Sequence, residues 1–379
     1  MAQHRFTSKY FADDKDIADI LLQGRFTQSV LHEYARSRGL FLSSQLSKKE
    51  LVDALKSLTC SWNQVSELVG RLDTQERAPH FLPRKKSGIF SDDEVVQSVE
   101  ALRDLHALQN ERIELKKTSD SLYTIEIHYE DTFYDRTRLL QKEPRTARIH
   151  IERTADKLNL RVEDNEKAKE IAQAFTTSLA KEGEEATKII ELSEIKQPRQ
   201  RTAFFIELIK GIYAHELTDV SDLKVEYMSP VPGDGEAEEP SESTLASQRK
   251  KKTELKAKLK SAALSGSGLL FSREYQELVK SNFYLCKVVW TVDHTSAVGP
   301  RLALSAEFSE PDTGTGFRYA ILGKWERNDE GDFKKTRIRL KPQEAKGYED
   351  AIETAAFEAY DFVTSPDFKF EEDEEEAND

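Results

Sequence analysis

An alternation of apolar and polar residues, which recurs in several segments, constrains this fold more than any other feature of the sequence. Three such segments lie in the first half of the chain, LYTIEIHY (122–129), ARIHIER (147–153) and KLNLRVE (157–163). Four lie in the second half, FYLCKVVWTVDH (283–294), RLALSAEFS (301–309), FRYAILGKWER (317–327) and FKKTRIRLK (333–341). Because successive side chains of a strand point to opposite faces, this period of two predicts half-buried antiparallel strands.

Segments with helical spacing surround these strands. Residues 17–72 carry apolar positions three and four apart, and Ser91 followed by three acidic residues predicts a helix from there to about residue 116. Further helices are predicted at 165–181, 198–217, 245–264 and 348–363. The predicted class is therefore α+β and multi-domain, with a small all-α N-terminal module followed by two mainly antiparallel-sheet α+β halves.

Breaks in the periodicity and runs of charge suggest where the domains begin and end. HFLPRKKSG (80–88) contains Pro and Gly and is interpreted as a basic linker. The predicted organisation is a helical module at 1–80, a linker at 81–90, an α+β domain at 91–228, an acidic disordered loop at 229–244, an α+β domain at 245–364 and an acidic disordered tail at 365–379.

Charge is distributed unevenly along the chain. The net charge is −13, yet residues 1–90 hold 14 basic against 10 acidic residues, and the tail 365–379 holds one Lys against eight acids. The net negative charge therefore comes largely from predicted disordered segments, and it does not exclude binding of a polyanion by the folded parts. The sequence has no apolar run long enough to cross a membrane and no apolar stretch near its start, so we expect a cytoplasmic protein that does not contact membranes.

The N-terminal basic residues surround one small predicted unit, SVLHEYARSRGLFLSSQLSKKELVDALKSL (29–58). Gly39 stands where a left-handed residue would end the first helix. Ser47 and Glu50 form the capping-box pattern S-x-x-E that would begin a second helix. Two short helices joined by an extended segment are therefore expected, with basic side chains near the start of the second helix, where backbone N–H groups favour a phosphate.

This unit resembles the SAP domain and related helix-extended-helix modules, which bind DNA or sometimes RNA. The resemblance rests on RGL at Arg38 to Leu40 and on KELVDAL at Lys49 to Leu55, and it covers residues 29–58 only. It implies that the unit contacts nucleic acid, with double-stranded DNA expected first. The rest of the chain carries no such resemblance.

Eight basic residues are the predicted nucleic-acid-binding set. They are Arg25, Arg36, Arg38, Lys48, Lys49, Arg84, Lys85 and Lys86. Contacts of this kind would go to phosphates, so binding would be independent of sequence and sensitive to salt. Two alternatives stay open at this point, an ordinary solvated face and a surface that docks a protein.

No motif in the sequence names a reaction. The run GTGFRYAILGKW lacks P-loop spacing, and neither HExxH nor GxSxG occurs. We therefore predict no catalytic residue, metal ligand or cofactor. One enzymatic alternative is a metal-dependent nuclease in the C-terminal half, built from Asp293, Glu307 and Lys324 on successive predicted strands. Another alternative is a protein-interaction scaffold.

The predicted function is thus a non-enzymatic, DNA-binding accessory or adaptor subunit of a larger complex. Nucleic acid is expected at the N-terminal unit and one or more protein partners at the body. A multi-domain accessory subunit of this kind would suit bacterial genome defence or DNA maintenance, by analogy with the module rather than from particular residues.

Overall fold

The fold is α+β and contains a large, mostly antiparallel sheet in the computed structural model. The structure describes residues 12–71, 78–106, 111–134, 136, 139, 141–180, 187–228, 282–296, 299–328, 330–366 and 368. Two compact units divide the chain: Met1–Arg77 with Asp92–Arg148, and Ala78–Ser91 with Ile149–Asp379. Each unit therefore draws on two separate stretches of sequence, whereas the predicted domains followed one another along the chain.

Four short helices begin the first unit, α1 (Asp14–Leu21), α2 (Gln28–Ser37), α3 (Lys48–Leu55) and α4 (Trp62–Gly70). Each starts at a side-chain cap that accepts a backbone N–H, and the predicted capping box of Ser47 and Glu50 is confirmed. Gly39 has φ +77°, so the predicted left-handed end of α2 is confirmed as well. Leu31 and Leu51 are fully buried in the core that these helices share.

The same unit continues with α5 (Asp92–His106), β2 (Arg112–Ser119), β3 (Leu122–Thr132) and residues 142–148 of β4 (Lys142–Arg153). The prediction of a helix to about residue 116 is wrong, because RIELKKTS forms β2. In the β2–β3 pair Ile113 lies opposite Ile127 and Leu115 opposite Ile125. These apolar cross-strand pairs favour the sheet over a helix at this point.

The second unit holds the end of β4 and most of the remaining elements. They are β1 (Phe81–Ser87), β5 (Lys157–Glu163), α6 (Glu166–Ser178), β6 (Lys188–Ile189), α7 (Pro198–Lys210), β7 (His215–Tyr227), β8 (Phe283–His294), β9 (Arg301–Glu310), β10 (Thr315–Trp325) and α8 (Pro342–Thr364). The strand order is β4-β5-β1-β10-β9-β8-β7, and β6 pairs with β1. Predicted strands at 122–129, 147–153, 157–163, 283–294, 301–309 and 317–327 are confirmed, apart from shifts at their ends.

The predicted linker at 81–90 is instead the site of a strand. β1 pairs with β5 along its whole length, from Phe81 opposite Glu163 to Ser87 opposite Lys157, and also contacts β10 and β6. Phe81 and Leu82 are buried. Pro83 and three consecutive basic residues concealed this strand in the sequence, since strands usually lack such residues in their interior.

Two further predictions at the ends of helices and strands are corrected. The helix predicted at 198–217 ends at Lys210, and residues from His215 onward pair with β8 as β7. Residues 333–341 form no regular strand and contribute only isolated bridges, one of them between Lys324 and Ile338. The acidic loop at 229–244, the helix at 245–264 and the tail from 369 lie outside the described residues.

An aromatic core fills the space between α7 and the sheet of the second unit. Phe204 lies 5.2 Å from Phe317 and 5.5 Å from Phe308, measured between ring centroids, and Phe205 lies 5.7 Å from Phe308. Trp290 is fully buried in the same core. Burial of a large aromatic side chain stabilises by about 1.5–3 kcal/mol relative to exposure, so these rings supply much of the stability of the unit.

A buried ionic network joins α8 to this sheet. Arg161 of β5 donates to Glu353 at 2.6 Å, to Glu349 at 2.6 Å and to Asp350 at 2.8 Å, all three on α8. It also donates to the hydroxyl of Tyr319 on β10 at 2.9 Å, and that hydroxyl donates to Glu353. One guanidinium therefore donates hydrogen bonds to three carboxylates and offsets their mutual repulsion.

Burial has the largest effect on the pKa values of Glu349 and Tyr319 in this network. Burial raises the pKa of Glu349, and Arg161 opposes that rise. Burial also raises the pKa of Tyr319 far above its ordinary value, with the neighbouring Glu353 acting in the same direction. Without Arg161, the charged form of Glu349 would thus lose its main compensation.

No helix among the described residues is both long enough and apolar enough to cross a membrane.

We predict that Arg161→Met destabilises the protein by about 3 kcal/mol at pH 7, because buried carboxylates lose their counter-charge. The pKa of Glu349 in the folded variant rises further above its unfolded value, so protonation stabilises the folded state as pH falls. The loss in free energy of unfolding relative to the wild type, measured by urea unfolding, should therefore be smaller at pH 5 than at pH 7. Lys210→Met, which removes an exposed lysine of α7, serves as the control. An unchanged urea midpoint for Arg161→Met at pH 7 would contradict this role.

Candidate nucleic-acid interface

The basic residues predicted in the N-terminal unit lie in the turn between α1 and α2, on α2, at its carboxyl end and at the start of α3. Residues 25–49 contain five Arg and Lys residues and a single acid, Glu33. Arg25, Arg36 and Lys49 are exposed, whereas Arg38 and Lys48 are half-buried. The five therefore divide into an exposed group and a group that contacts the protein itself.

Lys48 binds the carboxyl end of α1. Its Nζ donates to the carbonyl oxygens of Leu22 at 2.8 Å and Gln23 at 2.9 Å. A cation at this position satisfies terminal carbonyls and interacts favourably with the helix dipole. Lys48 therefore joins α1 to α3 and has a structural role.

Arg38 also contacts the protein backbone. One of its terminal nitrogens donates to the carbonyl of Thr59, and the other, Nη1, is buried without a hydrogen-bond partner among the described residues. Nearby, the hydroxyl of Tyr34 lies 3.5 Å from the sulfur of Cys60, and burial raises the pKa of Tyr34. Arg38 thus holds the turn after α3 against α2.

Arg36 and Lys49 remain available to a ligand. Arg36 donates through Nε to the carbonyl of His32 at 3.3 Å, and its terminal nitrogens form no hydrogen bond among the described residues. Neither Arg36 nor Lys49 forms an ion pair in the part of the chain that the structure describes. Exposed guanidinium and ammonium groups without a counter-ion are the groups that bind phosphate oxygens.

The amino end of α3 is already satisfied by its own cap. The backbone N–H of Ser47 donates to Glu50 at 2.8 Å, and the hydroxyl of Ser47 donates to the same oxygen at 2.7 Å. These hydrogen bonds lower the pKa of Glu50. Because a carboxylate occupies this helix end, a phosphate would depend on side chains rather than on the helix amides.

Phe41 is an exposed aromatic residue in the segment between α2 and α3. Its exposed fraction is 88%, whereas Leu40 and Leu42 on either side pack against the helical core. The segment is therefore anchored while it presents one ring to solvent. Phe41 was not among the predicted residues, although a lone aromatic within a basic stretch is a usable signal for base stacking.

The three predicted residues of the former linker lie in the second unit, on β1. Lys85 faces one side of the sheet, and Arg84 and Lys86 face the other. Lys86 is 3% exposed, so its ammonium is not available to a phosphate. Burial lowers the pKa of Arg84, whose Nε is buried without a hydrogen-bond partner among the described residues. Of the three, only Lys85 lies beside other surface lysines.

The residues considered for a nuclease are not brought together. Asp293 lies opposite Arg301 and binds it at 2.6 Å, whereas Glu307 lies opposite Lys287 and binds it at 2.9 Å. The two acids are therefore about 20 Å apart along the strands. Lys324 binds Glu344 at 2.9 Å instead of either acid.

One group of residues in the first unit has the composition of a metal site. Ligand atoms of Glu114, Glu126 and His128 lie within 4.8 Å of one another. Both carboxylates already have basic partners, since Lys116 binds Glu126 at 2.5 Å and Arg112 binds Glu114 at 2.7 Å. Lys116 and burial act in opposite directions on Glu126, and the net effect lowers its pKa. These contacts form an ion-pair network on the sheet.

We predict that Lys48→Gln increases amide hydrogen exchange in α1 about two- to fivefold, because the helix end loses a favourable charge. The matched variant Lys49→Gln should leave exchange in α1 unchanged, since that ammonium contacts no carbonyl of the helix. Exchange measured by mass spectrometry on the full protein distinguishes the two. Equal effects of both variants would show that Lys48 does not stabilise α1.

Comparison with known proteins returned neither a matching family model nor a matching curated protein. Function is therefore argued from the residues of this chain.

Proposed function

We propose that residues 29–58 form a SAP-like helix-extended-helix unit that binds nucleic acid, with double-stranded DNA as the expected ligand. Binding is independent of sequence and acts through the phosphate backbone. The observation that carries the proposal is the exposed pair Arg36 and Lys49, which have no ion pair in the described chain and lie on either side of exposed Phe41 in the sequence. Exposed cations without an ion-pair partner suit a phosphate backbone better than an apolar partner.

The remaining basic residues have supporting roles in this proposal. Lys48 joins α3 to the carboxyl end of α1 through a backbone carbonyl. Arg38 joins the end of α2 to the turn after α3 in the same way. Arg25 precedes α2, is exposed and adds positive charge to the same stretch of sequence. The unit thus uses two cations for its own stability and presents the others to the ligand.

The rest of the protein acts as an accessory or adaptor body in this view. Asp293, Glu307 and Lys324 are not assembled into one site, which favours binding over nuclease activity. A body that recruits a protein partner to DNA suits a subunit of a DNA-maintenance or genome-defence complex.

We predict that Arg36→Glu with Lys49→Glu reduces affinity for a labelled duplex by about tenfold or more at 50 mM salt. The slope of log affinity against log salt should become shallower by about one for each phosphate that the variant no longer neutralises. Fluorescence anisotropy of the full protein between about 50 and 200 mM salt measures both quantities. Lys15→Glu, an equal charge change per residue at the acidic helix α1, should have little effect. Lys15→Glu changes the net charge by half as much as the double variant, so a loss of log affinity half as large would indicate only a change in net charge. Wild-type binding by the double variant would refute the proposal.

We predict that Phe41→Ala weakens binding of single-stranded DNA about five- to hundredfold, the range that corresponds to one stacked base. The salt slope should not change, because an aromatic contact releases no counter-ion. The control is Leu22→Ala, which removes another exposed apolar side chain of the first compact unit. Unchanged affinity in Phe41→Ala would exclude stacking on this ring.

A further inference from the structure

Three lysines meet on one face of the sheet in the second unit. Lys85 of β1 lies directly opposite Lys188 of β6, and Lys157 of β5 lies opposite Ser87, two residues along the same face of β1. Like charges directly opposite each other destabilise a strand pair. Lys85 lies on the middle strand, directly opposite Lys188 and diagonal to Lys157, and diagonal neighbours are about 7–8 Å apart. A ligand above Lys85 is therefore within reach of the other two ammonium groups.

The aromatic rings of α8 form the base of this lysine cluster. The Nζ of Lys85 lies 3.8 Å from the ring centroid of Phe357, and the Nζ of Lys188 lies 6.0 Å from the same centroid. Lys188 also lies 5.8 Å from the ring centroid of Tyr360. These cation–π contacts hold the two ammonium groups side by side above α8.

Acidic groups neutralise this cluster only in part. Asp361 binds Lys188, but both side chains are largely exposed, so the pair is weak. Within the described residues neither Lys85 nor Lys157 has a carboxylate within ion-pair distance. Burial lowers the pKa of Lys85, and the charges of Lys157 and Lys188 lower it further, while Asp361 and Glu353 act in the opposite direction. The cluster therefore holds more positive charge than its surroundings compensate.

We infer that Lys85, Lys157 and Lys188 form a binding site for a phosphate group. A phosphate carries up to two negative charges and several strong acceptor oxygens, so it can bind three ammonium groups at once. The ligand is either a free phosphate compound or the phosphodiester backbone of a nucleic acid. This site stands apart from the function proposed for the N-terminal helices, because none of its residues belongs to the first unit.

Isothermal titration of the full protein with inorganic pyrophosphate tests the site. We expect Lys85→Gln to weaken binding about tenfold or more, the effect of losing one charge-assisted hydrogen bond. Lys157→Gln should weaken binding as well and serves as the second variant should Lys85→Gln fold poorly. Lys210→Gln, a lysine of α7 paired with Glu207, is the control and should bind like the wild type. Equal affinities of Lys85→Gln, Lys157→Gln and wild type, or no binding by the wild type at millimolar pyrophosphate, would overturn the inference.

Two additional measurements identify the source of the phosphate and separate the two proposals. Displacement of pyrophosphate by a thymidine oligonucleotide without terminal phosphate would assign the site to a phosphodiester backbone, and failure to displace it would assign the site to free phosphates. Mass spectrometry after reductive methylation should show that pyrophosphate protects all three lysines together. The double variant Arg36→Glu with Lys49→Glu should retain pyrophosphate binding, so a failure at the N-terminal helices is distinguishable from a failure here.

Discussion

The pairing of β1 within the sheet is the interaction on which the second unit depends. This strand supplies backbone partners to β5 on one side and to β10 and β6 on the other. Buried backbone groups must find hydrogen-bond partners, so β5 and β10 would both present open edges without it. β1 comes from a short stretch between two parts of the first unit, and its register also determines which charged residues meet. Pro83 lies opposite Arg161, and Lys85 lies opposite Lys188.

Two successive parts of the packing between α8 and the sheet differ in charge: acidic residues predominate in the first part and lysines in the second. Arg161 holds Glu349, Asp350 and Glu353 around one guanidinium in the first half of the helix. One to two turns later, the lysine cluster lies over Phe357 and Tyr360 with a single weak acidic partner. The first arrangement is internally satisfied and therefore structural. The second leaves part of its charge uncompensated, and this difference is why a phosphate is inferred at the lysine cluster and not around Arg161.

The same distinction separates the basic residues near the N-terminus. Lysine and arginine side chains that reach backbone carbonyls at helix ends stabilise the fold, whereas those directed into solvent can bind a polyanion. Lys48 and Arg38 belong to the first kind, because their terminal nitrogens donate to backbone carbonyls. Arg36 donates to a carbonyl only through Nε, so its terminal nitrogens, like the exposed ammonium of Lys49, belong to the second kind. Charge counts along the sequence treat all four alike, so only the contacts of each side chain reveal which cations remain for a ligand.

Local rules of the sequence were sufficient for most of the regular structure. Period-two patterns located the strands β3, β5, β8, β9 and β10, and the Ser47 and Glu50 pattern with Gly39 located the ends of α2 and α3, because these features depend on near neighbours alone. They failed for β1, where Pro and three basic residues conceal a strand whose partners are distant in sequence. They also failed for β2 and β7, which begin inside segments predicted as helices. The three ligand-binding lysines come from β1, β5 and β6, and the carboxylates around Arg161 come from α8, almost 190 residues away. Register between distant strands decides such meetings. The sequence by itself therefore determined most of the elements and the basic stretch near the N-terminus, while the tertiary structure alone decided where β1 lies, which charges are paired and which are left for a ligand.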